Sequence, residues 1–191
     1  LILFMIEIDK VLKNISHTPV ELPNVFVEGL TNNSSKVKKG FIFFAFQGEN
    51  IDGNDFIEEA FNNGACLVVS DSDKVISQRN IIKVDNVRLA SGVACSNFYN
   101  FPQNKLKLIG ITGTNGKTST SSILKSILDN ADIKALQVGT SGIKPMLDVE
   151  TNLTTPDIFD LYHIFNMAVK QDYEYIICLL YTSPSPRDLR E

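Results

Sequence analysis

Between residues 25 and 69 the chain alternates short apolar runs with turn-forming residues. Lys38-Lys39-Gly40 leads into Phe41-Ile42-Phe43-Phe44-Ala45-Phe46, and Gly48-Glu49-Asn50-Ile51-Asp52-Gly53 follows it. That order predicts a buried strand and then a tight polar loop. Asn54 stands where it can cap a helix whose Phe56, Ile57, Ala60 and Phe61 share one face, and Asn63-Gly64 supplies a stop. Residues 66–69 and 81–84 read as two further strands. Val87, Ala90, Ala94 and Phe98 mark a helical stripe that ends before Pro102.

A second unit opens after residues 100–104. A strand over 106–111 runs into a glycine-containing loop, and a helix carrying Ile123, Leu124, Ile127 and Leu128 follows. Next come a strand over 135–138, a polar loop to Pro156, a helix with Ile158, Leu161, Tyr162 and Phe165 on one face, and a strand over 173–177. Alternating strands and helices predict a buried parallel sheet, so the fold class is α/β. The expected organisation is a small domain over 1–103, the start of a second over 104–177, and a tail over 178–191. The tail follows a strand without a turn, and its residues 178–188 resemble one translated frame of a sequencing-library adapter. It is therefore expected to be non-native, with the natural chain continuing past Ile177. Met5 is the expected start.

Composition narrows the function classes. Of 191 residues 43% are hydrophobic and 21% charged, enough apolar material for a real core. Eighteen basic residues against 22 acidic ones give a net charge of −4. That is no electrostatic footprint for phosphate backbones or anionic lipid, so neither nucleic acid nor membrane is expected as a partner. Cys66, Cys95 and Cys178 lack metal-ligand spacing and suit a reducing compartment, and the opening apolar residues 1–6 are far too short to span a bilayer. A cytoplasmic monomer is expected.

The informative motif is Gly113, Thr114, Asn115, Gly116, Lys117, Thr118 and Ser119, between a predicted strand and a predicted helix. Glycines let backbone N–H groups approach phosphate oxygens, and a helix N-terminus offers unpaired donors and a dipole that favours anions. Lys117 brings a compact positive charge to the β- and γ-phosphates, and the Thr118 hydroxyl is the expected Mg²⁺ ligand. ATP with Mg²⁺ is the implied ligand pair. The strict phosphate-loop pattern would place glycine at 111, where Ile111 stands. His163 reads as a packing or solvent-edge residue and His17 has less context still. Asp52 and Asp55 read as turn and cap residues, and Glu58 and Glu59 as a solvated helix face.

The phrase Leu108-Ile109-Gly110-Ile111-Thr112-Gly113-Thr114-Asn115-Gly116-Lys117-Thr118 resembles the ATP loop of the Mur ligases, ATP-dependent amide-forming enzymes of peptidoglycan synthesis in which the variant loop is the norm. Upstream, residues 37–45 and 48–57 look like the family's N-terminal substrate domain. Downstream, Thr151-Asn152-Leu153-Thr154-Thr155-Pro156-Asp157 looks like a segment of the member that adds the third peptide residue. The resemblance implies a small UDP-sugar domain followed by the start of a phosphate-loop, parallel-sheet ATP domain. It also implies UDP-N-acetylmuramoyl-dipeptide and a diamino acid, diaminopimelate or lysine, as substrates. Carried over by position, Ser34, Glu49, Asn50 and Ile51 would sit near the UDP-sugar, and Thr154 and Thr155 would contact the substrate. One departure stands out: the family usually has Asp-Ser-Arg before its Lys-Val run, and this chain has Asn33-Ser34-Ser35.

In the reaction implied by this resemblance, the substrate carboxylate attacks the γ-phosphate and the incoming amine opens the resulting acyl phosphate. The family's magnesium-binding glutamate, modified lysine and C-terminal domain would lie beyond Ile177, so the chain alone is not expected to turn over. Two other readings stand beside this one: the D-alanyl-D-alanine-adding ligase of the same family, and a non-catalytic ATP-binding module.

Overall fold

The computed structural model describes residues 5–48, 51–74, 80–139, 142–145, 147 and 156–179. The chain divides into two units, Leu1–Asn100 and Phe101–Glu191. At the division Asn100 and Phe101 both adopt left-handed backbone, and Pro102 then opens a 3₁₀ turn.

In the first unit a two-residue strand β1 (Ile6–Glu7) leads directly into a one-turn helix α1 (Ile8–Val11) and pairs antiparallel with β2 (Phe26–Val27). The main sheet comprises β3 (Gly29–Thr31), β4 (Phe41–Phe44), β5 (Ala65–Ser70) and β6 (Ile81–Lys83), in that spatial order and all parallel. The crossover from β4 to β5 carries helix α2 (Ile57–Asn62), and α3 (Val87–Phe98) follows β6. Both faces of a parallel sheet are covered by such crossovers, which is why the central strands are apolar throughout and not alternating. Ile42, Phe43, Phe44, Leu67, Val68 and Val69 are accordingly buried, and Phe43 packs with Val37, Ala60, Val68 and Ile81.

The predicted run over 41–46 ends as a strand at Phe44, because the chain turns at Phe46, whose carbonyl accepts the Gly53 N–H at 2.8 Å. The helix cap also differs from expectation. α2 has Phe56 at its N-cap and no side-chain cap bond, and Asp52, read above as a turn or cap residue, caps the 3₁₀ turn Gly53–Phe56 that leads into it, its carboxylate accepting the Asn54 backbone N–H at 3.0 Å and the Asn54 side-chain amide at 2.6 Å. Those two donors hold the Asp52 carboxyl below the usual range. Asn54 is instead spent on Ser70, whose hydroxyl donates to Asn54 Oδ1 at 2.6 Å and so ties the loop to the end of β5. Gly64 ends α2 as predicted. It sits at φ +105, and a Cβ there would lie 2.9 Å from the Lys39 Cα.

The second unit holds β7 (Lys107–Ile111), α4 (Lys117–Asn130), β8 (Ala135–Gly139), β9 (Gly142–Lys144), α5 (Ile158–Lys170) and β10 (Tyr175–Leu179). Strand order is β7-β10-β8-β9. The first three are parallel, and β9, which the sequence pattern does not reveal, adds antiparallel to β8. The last strand runs through Cys178 and Leu179, two residues beyond the predicted end, and Leu179 packs on Gly139. Leu136, Val138, Ile164, Phe165, Ala168 and Ile176 form the core between sheet and α5. Asp157 caps α5, its carboxylate accepting the Phe159 and Asp160 N–H groups, each at 2.9 Å.

Two expectations change in this unit. Among the described residues the strand before the glycine loop pairs on one side only, with β10, and Leu108 on it is 46% exposed where a buried sheet is expected. The α4 stripe is split: Leu128 is buried and Leu124 packs beside it, but Ile123 and Ile127 stand 62% and 59% exposed.

Candidate functional site

The loop from β7 to α4 brings Gly113, Thr114, Asn115, Gly116, Lys117, Thr118 and Ser119 together at the C-terminal end of a parallel strand. Ligands of open α/β sheets bind at that end. Gly113 at φ +146 and Gly116 at φ +78 occupy backbone that a Cβ would strain, so glycine is required for the turn itself. Gly116 is also the N-cap, and having no side chain it leaves the first-turn N–H groups uncapped by any side chain. The first backbone bond of α4 is Thr120 N–H to the Gly116 carbonyl at 2.9 Å. The loop is exposed to solvent, Lys117 is half-buried, and its Nζ donates to the Gly113 carbonyl at 2.5 Å across the loop. Backbone donors at a helix N-terminus with an ammonium beside them are the kind of arrangement that favours an anion.

Behind the loop runs a buried polar chain. Gln137 on β8 donates through Nε2 to Ser121 Oγ at 2.7 Å, and the Ser121 hydroxyl donates to the Thr118 carbonyl at 2.9 Å. Ser121 is fully buried and Gln137 nearly so. The chain ties the turn that presents Thr118 to the middle of the sheet.

In the first unit a cleft of about 500 Å³ opens at the C-terminal side of the sheet. Asn32, Asn33 and Ser34 line it on one side, Phe43, Phe46 and Phe56 give it an apolar floor, and Ile51 and Arg88 complete it. The Ser34 hydroxyl donates to Glu59 at 3.0 Å, and the Asn33 carboxamide caps the turn after it by accepting the Ser35 N–H at 3.0 Å. The Arg88 guanidinium lies 4.8 Å from the centroid of Phe46 and donates to the Gln47 carbonyl at 3.2 Å.

Among the described residues no group of three or more His, Cys, Asp or Glu residues is placed to hold a metal ion. Burial pushes the Cys66 thiol up to about 11, with the Glu28 charge adding to it, and burial alone does the same for Cys178. Burial lowers the His163 pKa, against the opposing pull of Asp160. Neither thiol is tuned as a nucleophile near neutrality. Among the described residues no helix is long and apolar enough to cross a membrane.

Comparison with known proteins agrees with this geometry. Residues 26–99 match the family model described as Mur ligase family, catalytic domain, and residues 111–179 match that of the Mur ligase middle domain. The chain belongs to the Mur ligase family. It is 40% identical over 152 residues to the UDP-N-acetylmuramoyl-L-alanyl-D-glutamate--2,6-diaminopimelate ligase of Fusobacterium nucleatum subsp. nucleatum, an overlap of 78% of this chain and 31% of that one. The ligase of the same name from Caldanaerobacter subterraneus subsp. tengcongensis is 40% identical over 172 residues, covering 87% of this chain and 35% of the relative. A solved structure of such a ligase superposes with a TM-score of 0.72 at 26% identity, over 92% of this chain and 36% of that one. The chain thus spans about a third of the length of the curated relatives it matches.

Within this Mur ligase architecture, the seven residues of the glycine loop lie together in the second unit, and Ser34 and Ile51 line one cleft in the first. Glu49, Asn50, Thr154 and Thr155 lie outside the described residues. Two features escape sequence reasoning. Arg88 sits one position off the apolar stripe of α3 and about forty residues from the loop it meets, so nothing local marks it. Ser121 and Gln137 look like ordinary polar positions until α4 and β8 are packed together.

Proposed function

We propose that this chain is the nucleotide-binding part of an ATP-dependent ligase that joins diaminopimelate to UDP-N-acetylmuramoyl-L-alanyl-D-glutamate. The observation that carries the reading is the loop from β7 to α4, which sets glycine backbone, a helix N-terminus without a side-chain cap and Lys117 side by side, the parts a phosphate-binding loop requires. The names of the relatives supply the acceptor and the amino acid.

In this reading the loop N–H groups and Lys117 hold the β- and γ-phosphates of ATP, and the substrate's terminal carboxylate attacks the γ-phosphorus. ADP leaves, the acyl phosphate is opened by the amine of the diamino acid, and an amide and inorganic phosphate result. Catalysis is by positioning and charge neutralisation, and the chain needs no nucleophile of its own. Mg²⁺, held by the Thr118 hydroxyl and phosphate oxygens, would supply part of that neutralisation. Ser34, Ile51, Glu49 and Asn50 belong in this scheme to the UDP-sugar end, and Thr154 and Thr155 contact the UDP-linked substrate. The protein works in the cytoplasm as a monomer.

The test is ADP release by a ligase of the relatives' length that carries this chain, given ATP, Mg²⁺ and the UDP-muramoyl-dipeptide. Release that depends on diaminopimelate supports the reading. Release with D-alanyl-D-alanine and the tripeptide substrate instead, or none with any amino acid, refutes it.

A further inference from the structure

We infer that Asn115 is a site of covalent self-modification: in the nucleotide-free protein its carboxamide is attacked by the Gly116 backbone nitrogen and becomes a carboxylate, which disables the phosphate loop. The loss of binding rests on the phosphate-loop reading above, whereas the chemistry itself does not. The chain contains two Asn-Gly pairs, Asn63-Gly64 and Asn115-Gly116, and both asparagines are exposed. A glycine after asparagine leaves the backbone nitrogen unshielded by a side chain, so that nitrogen can reach the carboxamide carbon and close a small ring. Sequence and exposure therefore rank the two pairs alike, and hydrogen bonding separates them.

At Asn63 the groups the reaction needs are held. Its Nδ2 donates to the Ser34 carbonyl at 3.0 Å, its backbone N–H donates to the Glu59 carbonyl at 2.9 Å, and the Gly64 N–H donates to the Phe61 carbonyl at 3.0 Å. At Asn115 they are not. Among the described residues neither the Asn115 carboxamide nor the Gly116 N–H makes a hydrogen bond, and a Cβ on Gly116 would meet nothing within 4 Å. The attacking nitrogen and its target are thus adjacent in the chain, open to water and unrestrained.

The step balances with water as its co-reactant. The Gly116 nitrogen gives its proton to solvent base and bonds to the Asn115 side-chain carbonyl carbon. The carboxamide C–N bond breaks, and ammonia leaves. Water then opens the resulting imide at either carbonyl, giving aspartate or the isomer in which the main chain runs through the former side chain. Either product sets a negative charge in a loop that holds phosphates, and like charges repel. The isomer also lengthens the main chain by a carbon and displaces the Gly116 N–H and Lys117. A bound phosphate that takes up the Gly116 N–H occupies the attacking atom, so nucleotide protects the loop from this reaction.

The experiment ages the 191-residue chain in mildly alkaline buffer, with and without Mg-ATP, and follows amide-to-acid conversion at positions 115 and 63 by peptide mass. Without nucleotide Asn115 should convert at least about tenfold faster than Asn63, because the bonds to Ser34 and Phe61 must open before Asn63 reacts. In urea the two rates should converge. Mg-ATP should slow conversion at Asn115 and leave Asn63 unchanged. Aged protein, and Asn115→Asp made directly, should bind a fluorescent ATP analogue at least about tenfold more weakly than fresh protein, with circular dichroism unchanged. Equal rates at the two asparagines in the folded chain, or full conversion at Asn115 with analogue affinity kept, would overturn the inference while the phosphate-loop reading stands. A fresh chain that binds no analogue overturns the phosphate-loop reading, and the loss of affinity falls with it whatever the rates.

Discussion

The Gln137–Ser121–Thr118 chain behind the phosphate loop makes a quantitative prediction. Ser121→Ala removes a hydroxyl that accepts from Gln137 at 2.7 Å and donates to the Thr118 carbonyl at 2.9 Å. Both side chains are shut off from water, so the Gln137 amide is left without that acceptor, a cost of about 1–3 kcal/mol. Gln137→Leu alone deletes the donor while the hydroxyl keeps its bond to Thr118, and should cost about 0.5–1.5 kcal/mol. Combining the two removes the stranded amide, so the double variant should lose at least about 1 kcal/mol less than the sum of the single losses. Urea denaturation reads these differences, followed by far-ultraviolet circular dichroism and by the emission of Tyr162, Tyr173 and Tyr175, all in the second unit. For a unit of this size 1 kcal/mol moves the melting midpoint by about 4–8 °C, so the coupling is well above error. Strict additivity of the two substitutions would refute the buried chain as a unit.

Three further expectations are independent of this one. Lys117→Ala should weaken binding of a fluorescent ATP analogue at least about tenfold with the circular dichroism spectrum unchanged, because the ammonium's contact to the Gly113 carbonyl is local to the loop; equal binding would sink the phosphate-loop assignment. Gly64→Ala should destabilise the first unit by about 2 kcal/mol or more, read as a fall in its denaturation midpoint, since φ +105 is strained for alanine and the new Cβ would press on Lys39 backbone 2.9 Å away. Cys66 and Cys178 both titrate near 11 in the fold against 9.0 in the open chain, so the unfolded state loses their protons first: stability should be whole below pH 9 and fall between pH 9 and about 11. Iodoacetamide should accordingly modify both slowly at pH 8 in the native protein and quickly in urea.

The sequence pattern conveys the order of elements well, because β4, β5 and β6 are short apolar runs between turn residues and α3 and α5 carry clear stripes. The glycine loop is legible for a stronger reason, since each residue type in it answers a separate physical demand. What the pattern hides depends on partners distant in sequence. Asn54 looks like a helix cap because its type suits one, yet its carboxamide bonds Ser70 and Asp52, and Asp52 caps only the 3₁₀ turn that leads into α2. Ile123 and Ile127 fit an apolar stripe on periodicity alone, and only the packed structure shows that they remain in water. β9 is three residues long and leans on β8, so no period of its own announces it. Arg88 and the loop at Phe46 come together only through the crossover geometry of the first sheet.

The phosphate loop grows from a strand that, among the described residues, is hydrogen-bonded along one side only, with Leu108 and two isoleucines of α4 turned to water nearby. Open backbone beside greasy side chains is the arrangement that recruits foreign strands. Purified stocks of the chain should therefore scatter light increasingly with concentration, and a charged residue at Leu108 should quieten them.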